Sequence, residues 1–462
     1  MYISIELDIE KCVGCAHCMR VCPTQAIRIR EGKAVLREEL CIDCGECIRA
    51  CPHHAYDVKQ DNLKEIFDYK YRVAIVPSLF FGQFPEKVTN SQVHEAMREL
   101  GFTHVFEIEG GIEFLREKIN ELISNPAVPK PIISSFCPSI VRLIQLRFPS
   151  LLDNVAHLRT PTDLAAMYYT EKLVDEGAKR EDIGMFYVTQ CPAKKTEVIK
   201  PIGDEKSVLS GVININIVYN KVYRKVLRGE LTEVAEEDRW RNDVMVNDRA
   251  IRWMLTGGEA NTVAGRTLAI DGMSNVIKFL EKVENEDLLG IDFLEIRACD
   301  ESCAGGVLNS ENRFLAVERL KRRAREVKYR LKHDPTAMRK TYTDKKEYLM
   351  AHINLEKPFE NKAFSLDGDR ATAMKKMKRQ RELMCFLPGI DCGACGAPTC
   401  QALAEDIVNR RGAISDCIFM QKQMEHQNGL SAETSYKIVE KIWGKARLEK
   451  DCSKAGAKLD TL

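Results

Sequence analysis

Cysteine carries the chemistry of this 462-residue chain, which holds 18 of them. Two runs near the start repeat one spacing, Cys12-x2-Cys15-x2-Cys18-x3-Cys22-Pro23 and Cys41-x2-Cys44-x2-Cys47-x3-Cys51-Pro52. Spacing this tight lets one turn of backbone present three thiolates to one face of a 4Fe–4S cube. The fourth cysteine of each run goes to the other cube, so the sets are Cys12, Cys15, Cys18 and Cys51, and Cys41, Cys44, Cys47 and Cys22. Zinc knuckles also use paired cysteines, but they rarely repeat three-plus-one with Cys-Pro twice. Such a module moves electrons.

Two further sets lie downstream. Cys392-x2-Cys395-x4-Cys400-x16-Cys417 offers four thiolates, with Gly393 and Gly396 letting backbone N–H groups approach cluster sulfurs and Pro398 starting a helix. A cube is again expected over zinc. Between these ends, three apolar runs deliver cysteines where a strand should stop. Pro131 to Phe136 leads to Cys137-Pro138, Ile183 to Thr189 leads to Gln190-Cys191-Pro192, and Phe293 to Ile296 leads to Cys299 and Cys303 within EIRACDESCAGG. Each run reads as β, and cofactors in open α/β sheets bind beyond the carboxyl ends of strands. Four thiolates converging there would make a cluster site. Cys385 and Cys452 have no partners by spacing and are expected to be ordinary thiols.

The elements that must hold these cysteines are α/β. Tyr71–Phe80 reads as a buried strand, Ser91–Leu100 as a helix closed by Gly101, Thr103–Ile108 as a strand and Gly111–Ile123 as a helix. Ser139–Arg147 is an amphipathic helix, and another starts at Thr160-Pro161, with threonine as N-cap and proline at N1, and runs to about Gly177. Residues 196–290 hold short elements and no chemical motif. Ser310 to about Lys332 is a basic helix, either a solvated face or a dock for an acidic partner. The stretch from Ser431 to Leu448 is amphipathic. Hydrophobic residues make up 45%, charged residues 30%, and the net charge is +1, so no global field argues for nucleic acid or membrane. With no signal-like start and no apolar run of about 18 residues, a cytoplasmic protein without a membrane span is expected. There thiols stay reduced, and cysteines serve as ligands rather than disulfides.

The segments SSFCPSIVRLIQLRFP, TQCPAKKTE and EIRACDESCAGG, in that order behind the twin runs, resemble the iron-only (FeFe) hydrogenases over roughly residues 70–330. The twin runs are similar to the bacterial two-cluster ferredoxin, and the last set to a small 4Fe–4S domain of anaerobic electron-transfer subunits. The resemblance implies that Cys137, Cys191, Cys299 and Cys303 hold a 4Fe–4S cluster. Cys303 would bridge it to a diiron subsite carrying CO, cyanide and a dithiolate, the two together forming the H-cluster. Lys194 takes the place of the lysine that donates to one cyanide, and Pro77-Ser78 that of the backbone-plus-hydroxyl pair at the other. Lys194, Ser78 and Cys303 are thereby the expected catalytic positions, and Pro77, Ser78 and Lys194 the cofactor-binding ones.

Departures from the family pattern are concentrated at that site. Phe136 stands where catalytic members carry a proton-relay cysteine, Thr189 and Arg297 replace two methionines, and the glycine run shrinks to Gly305-Gly306-Val307-Leu308. Rapid proton turnover needs a titratable group within reach of the reacting atom. Similar losses mark the subgroup regarded as sensory.

Four segments are therefore expected: a two-cluster ferredoxin module over 1–60, a two-lobed α/β hydrogenase-like domain over 61–332, a linker over 333–370, and a small, mostly α cluster domain over 371–462. Two functions fit. One is a low-activity or H2-sensing hydrogenase relative that passes electrons to a redox partner, a ferredoxin or another electron-transfer or signalling subunit. The other is an electron-transfer subunit with 4Fe–4S clusters and no diiron unit.

Overall fold

The computed structural model describes residues 2–202, 206–229, 246–285, 290–334, 342–358, 361, 366 and 368–448. Cys452 and parts of the stretches 196–290 and 333–370 lie outside them. The cysteine repeat folds as two interleaved hairpins. β1 (Ile5–Leu7) pairs antiparallel with β4 (Tyr56–Val58), and β2 (Ile27–Arg30) with β3 (Lys33–Leu36). Between them pack two one-turn helices, His17–Val21 and Glu46–Ala50, each starting after a left-handed residue, Ala16 and Gly45.

Two parallel sheets follow. One runs β6 (His104–Glu107), β5 (Tyr71–Val76), β8 (Ile183–Thr189), β9 (Gly211–Asn214), and the other β10 (Thr267–Asp271), β11 (Phe293–Arg297), β7 (Ile132–Ile133). Every residue of β8 and of β11 is buried, the signature of strands covered on both faces. The helices Pro138–Arg147, Pro161–Asp175 and Met273–Glu284 provide that cover. Thr160 caps the second of these with a reciprocal box to Asp163 and proline at N1, as its sequence implies.

Three elements differ from their expected bounds. The strand read as Tyr71–Phe80 stops at Val76, because Pro77 has no N–H for the ladder, and Ser78–Gly82 turns into a helix. Of the run before Cys137 only Ile132–Ile133 joins the sheet, at its edge. The last amphipathic stretch breaks at Gly444, which takes a φ of 78° between the helices Ala432–Trp443 and Lys445–Leu448. Within 333–370, the helix Lys346–Ala351 buries Leu349, and Ile353 and Tyr342 join the same central core.

The C-terminal helices Arg370–Phe386, Cys400–Val408, Ile418–His426 and Ala432–Trp443 surround a small core built on Leu383, Leu387, Cys395, Cys400, Leu403 and Cys417. This unit docks on the ferredoxin module. Asp406, 2% exposed, receives Arg28 at 2.6 Å and Arg30 at 3.4 Å, and Glu405 receives Arg37 at 2.9 Å. The Trp443 indole N–H donates to the Ala394 carbonyl at 2.9 Å. Among the described residues no helix is long and apolar enough to cross a membrane.

Candidate metal centres

Cys12, Cys15, Cys18 and Cys51 line one enclosed cavity walled by Ile29, Ala34, Ala55 and Tyr56. The fourth thiol arrives from the other run, and Cys22 crosses in return to face Cys41, Cys44 and Cys47. Backbone N–H groups of Ala34, Ala55 and Ala26 point at the sulfurs of Cys12, Cys51 and Cys22, at 3.3, 3.4 and 3.2 Å. Burial pushes both the Cys41 and Cys44 thiols well up, helped by Asp43 at Cys41 and by the Cys22 and Cys47 thiols at Cys44, so ionising them calls for the positive charge of iron. Among the described residues no three His, Cys, Asp or Glu side chains close on one point as ligands of a single ion do.

The central set is brought together from both sheets. β7 and β11 run out toward Cys137 and Cys299, β8 runs into Cys191, and Cys303 sits in the tight turn Ser302–Gly305. Helices start immediately after Cys137 and Cys191, each with proline at N1, so two positive helix ends face the thiolates. All four thiols line one enclosed cavity, and Cys44 of the ferredoxin module shares its wall. Burial raises Cys191 to about 12, and raises Cys303 to about 11 against the pull of Arg297.

The rest of that wall is charged and aromatic. Arg297 extends from β11 with its side chain 2% exposed, and its Nη2 donates to Glu259 at 2.9 Å. Its Nε lies 3.7 Å from Glu295, whose carboxylate also accepts the N–H groups of Gly257, Glu259 and Ala260. Burial works against the guanidinium charge, and Glu259 and Glu295 outweigh it. The guanidinium covers the Phe136 ring at 4.0 Å, and the Lys194 ammonium lies 5.4 Å from the same ring. Nη1 of Arg297 and the Ser302 hydroxyl have no hydrogen-bond partner, which leaves two buried polar groups for whatever fills the cavity.

Lys194 lines the cavity while its Nζ binds Glu197 at 2.7 Å. Pro77 and Ser78 are not in its wall. The Ser78 hydroxyl instead reaches Glu107 at 2.6 Å and Glu109 at 2.9 Å, and its N–H donates to Glu109 at 2.8 Å. One hydroxyl hydrogen cannot serve two carboxylates. Glu107 is held ionised by a two-pronged pair with Arg323 at 2.8 and 2.6 Å, so Glu109 carries the second proton. Burial and the Glu107 charge accordingly raise Glu109 to about 8.

In the C-terminal unit Cys392, Cys395 and Cys417 share one neighbourhood, where burial raises Cys395 to about 11. Cys400 joins them in the same core, and its N–H donates to Asp391 at 2.7 Å.

Residues 11–68 match the 4Fe-4S dicluster domain family, residues 70–213 the family described as iron only hydrogenase large subunit, C-terminal domain, and residues 387–419 an Fe-S cluster family. The chain is an iron–sulfur protein of iron-only-hydrogenase-like type with an N-terminal ferredoxin module. This hydrogenase-like protein is 28% identical over 205 residues to the NADP-reducing hydrogenase subunit HndD of Solidesulfovibrio fructosivorans, covering 41% of this chain and 31% of that one. It is 29% identical over 230 residues to iron hydrogenase 1 of Clostridium pasteurianum, covering 43% and 40%. The chain thus spans less than half the length of either relative. Its structure aligns with the FeFe-hydrogenase HydA1 from Chlamydomonas reinhardtii at a TM-score of 0.46 and 19% identity, over 65% of this chain and 98% of that one.

Several residues of the central site were silent in the sequence. Glu259 lies in the stretch that showed no motif, and Gln190 and Ser302 look like ordinary loop residues. A signal was present for one of them, Glu259. Arginine in a buried strand demands a carboxylate, and Glu295 stands two residues earlier on the same face.

Proposed function

We infer that the hydrogenase-like domain works as an electron-transfer unit whose central thiolates hold a 4Fe–4S cube and no diiron unit, within a chain of four such clusters. The donor set fits a cube: four thiols around an enclosed space, two helix N-termini, and unpaired N–H and O–H donors for its sulfides. A diiron unit does not fit beside it. The observation that carries this conclusion is the buried stack of Phe136 and Arg297 locked by Glu259 and Glu295. It occupies the wall where the family pattern has a relay cysteine and a methionine. Ser78 is likewise committed to Glu107 and Glu109 rather than to the cavity.

When bound, the cubes supply one-electron chemistry, and this chain's residues bury them, ionise their ligands and set their fields. Arg297 holds positive charge at the central cavity, and Phe136 keeps water from it. A second reading, an H2-sensing relative with a diiron unit, draws support from Lys194, whose ammonium borders the cavity. Infrared spectra of protein matured together with the diiron cofactor separate the two. No CO or cyanide bands are expected, with iron near about 16 atoms per chain, whereas such bands would overturn the cube-only site.

A further inference from the structure

The four cysteine sets stand in single file, with the C-terminal set at the outer end. Cys44 belongs to the second ferredoxin set and also lines the central cavity. Cys47 faces Cys22 of its own set and Cys18 of the first. On the far side, Ile29 lines the Cys12 cavity, and its N–H donates to the carbonyl of Gly396, the neighbour of Cys395, at 2.8 Å. Met19, which follows Cys18, brings its methyl so close that a Cβ at Gly393 would sit 3.1 Å from it.

Exposure singles out the outer end. Among the cysteines of the four sets, Cys392 alone is exposed. Phe386 and Ile390, six and two residues before it, and Phe419, two residues after Cys417, are 62%, 55% and 48% exposed. The helix Arg370–Phe386 leads to this spot with Lys375, Lys378, Arg379 and Arg381 at exposed positions, against Glu382.

We propose that the face formed by Phe386, Ile390, Cys392 and Phe419, flanked by Lys378 and Arg381, docks a small acidic redox protein and is the chain's electron port. This rests on the electron-transfer reading above. An apolar centre excludes water at the point of transfer, and a basic flank steers an acidic partner. The partner's reduced cluster gives up one electron and is oxidised. The C-terminal cluster takes that electron and passes it to the Cys12 set, the Cys41 set and the central set in turn. No bond breaks and no proton is required.

The probe is an acidic two-cluster ferredoxin, reduced beforehand and mixed by stopped flow with the full chain carrying all its clusters. A viologen radical, small enough to reach any exposed cluster edge, serves as control. Lys378→Glu with Arg381→Glu should slow reduction by ferredoxin at least about tenfold, and added salt should slow the unaltered chain. Reduction by viologen should not change. Arg325→Glu with Lys328→Glu, on the basic helix Arg313–His333, should leave both rates as they were. Phe386→Ser tests the apolar centre and should slow the ferredoxin alone. A ferredoxin rate indifferent to the first pair, slowed equally by the second pair, or slowed together with viologen overturns the port. Electron paramagnetic resonance of the ferredoxin sets follows arrival of the electron, so the test reads out even if infrared bands sink the cube-only central site.

Discussion

The Cys12 cavity and the central cavity are each lined by four thiols, and their walls have little else in common. The first is closed by Ile29, Ala34 and Ala55, residues of its own module. The second is closed by Arg297, Lys194, Gln190 and Ser302, with Phe136 beneath the guanidinium. A motif of local spacing can build the first almost alone. The second needs strands from two sheets and a carboxylate, Glu259, that packs beside β11 from a distant loop. Four thiolates specify a cluster, and the remaining wall decides how readily it takes an electron. A cube beside a buried cation is easier to reduce than one in an apolar pocket, so the central cluster should be the electron sink.

The largest effects separate the cavities by their ligands. Cys51→Ser should remove the cube of the first set and Cys303→Ser the central one, each lowering iron by about four atoms per chain. Iron and sulfide analysis checks this, and full iron in Cys51→Ser would undo the crossing of the fourth ligand. Next comes stability. Arg297→Ala leaves Glu259 and Glu295 buried without their cation and should cost about 3–5 kcal/mol in urea unfolding. Ile29→Val in the first cavity should cost only about 0.5–1.5 kcal/mol. Equal losses would mean that the two walls are built alike.

A third contrast lies in pH. Glu109 is raised to about 8 in the folded chain, from about 4.3 in an unfolded one. As pH rises through that window, the unfolded chain releases this proton first, the folded state binds more protons, and stability falls. Glu259, which burial raises to about 7, adds to the same decline. Glu109→Gln should therefore lessen it, seen by comparing unfolding midpoints at about pH 5 and about pH 8. An undiminished decline in the variant places the titration elsewhere. The smallest effect is on potential. Arg297→Met should lower the central midpoint by on the order of 60 mV, a tenfold change for one electron, and leave the ferredoxin sets where they were. A shift shared by all the clusters would show that the arginine acts through the fold rather than on its neighbour.

Much of this was legible from residue order. The spacing of the twin runs carries the expectation that Cys22 and Cys51 exchange, and Cys51 lies with Cys12, Cys15 and Cys18. The run Ile183–Thr189 matches β8 residue for residue, since a strand buried on both faces reads as unbroken apolar sequence. Pro77-Ser78 shows the limit. The dipeptide is present, yet its hydroxyl is drawn to Glu107 and Glu109, which look like surface acids in HVFEIEGG. Their burial follows from Arg323, more than two hundred residues away. Partners that meet only in three dimensions leave no local trace. The docking of the C-terminal unit through Asp406 is of the same kind.

That docking also sets the timing of assembly. The turn between β2 and β3 is completed by the far end of the chain, with the N–H groups of Glu31 and Gly32 donating to the carbonyls of Lys441 and Ile442 at 3.0 Å. On the ribosome the ferredoxin module emerges well before the residues that cover its turn. At about 5–20 residues per second, the interval between Gly32 and Ile442 is roughly 20–80 seconds. During that time β2 and the β2–β3 turn beside the first cavity lack the backbone partners that Gly396, Lys441 and Ile442 later provide. Cluster-loading machinery meets that turn uncovered during synthesis, so the first cube should be easier to insert then than after the C-terminal unit has docked.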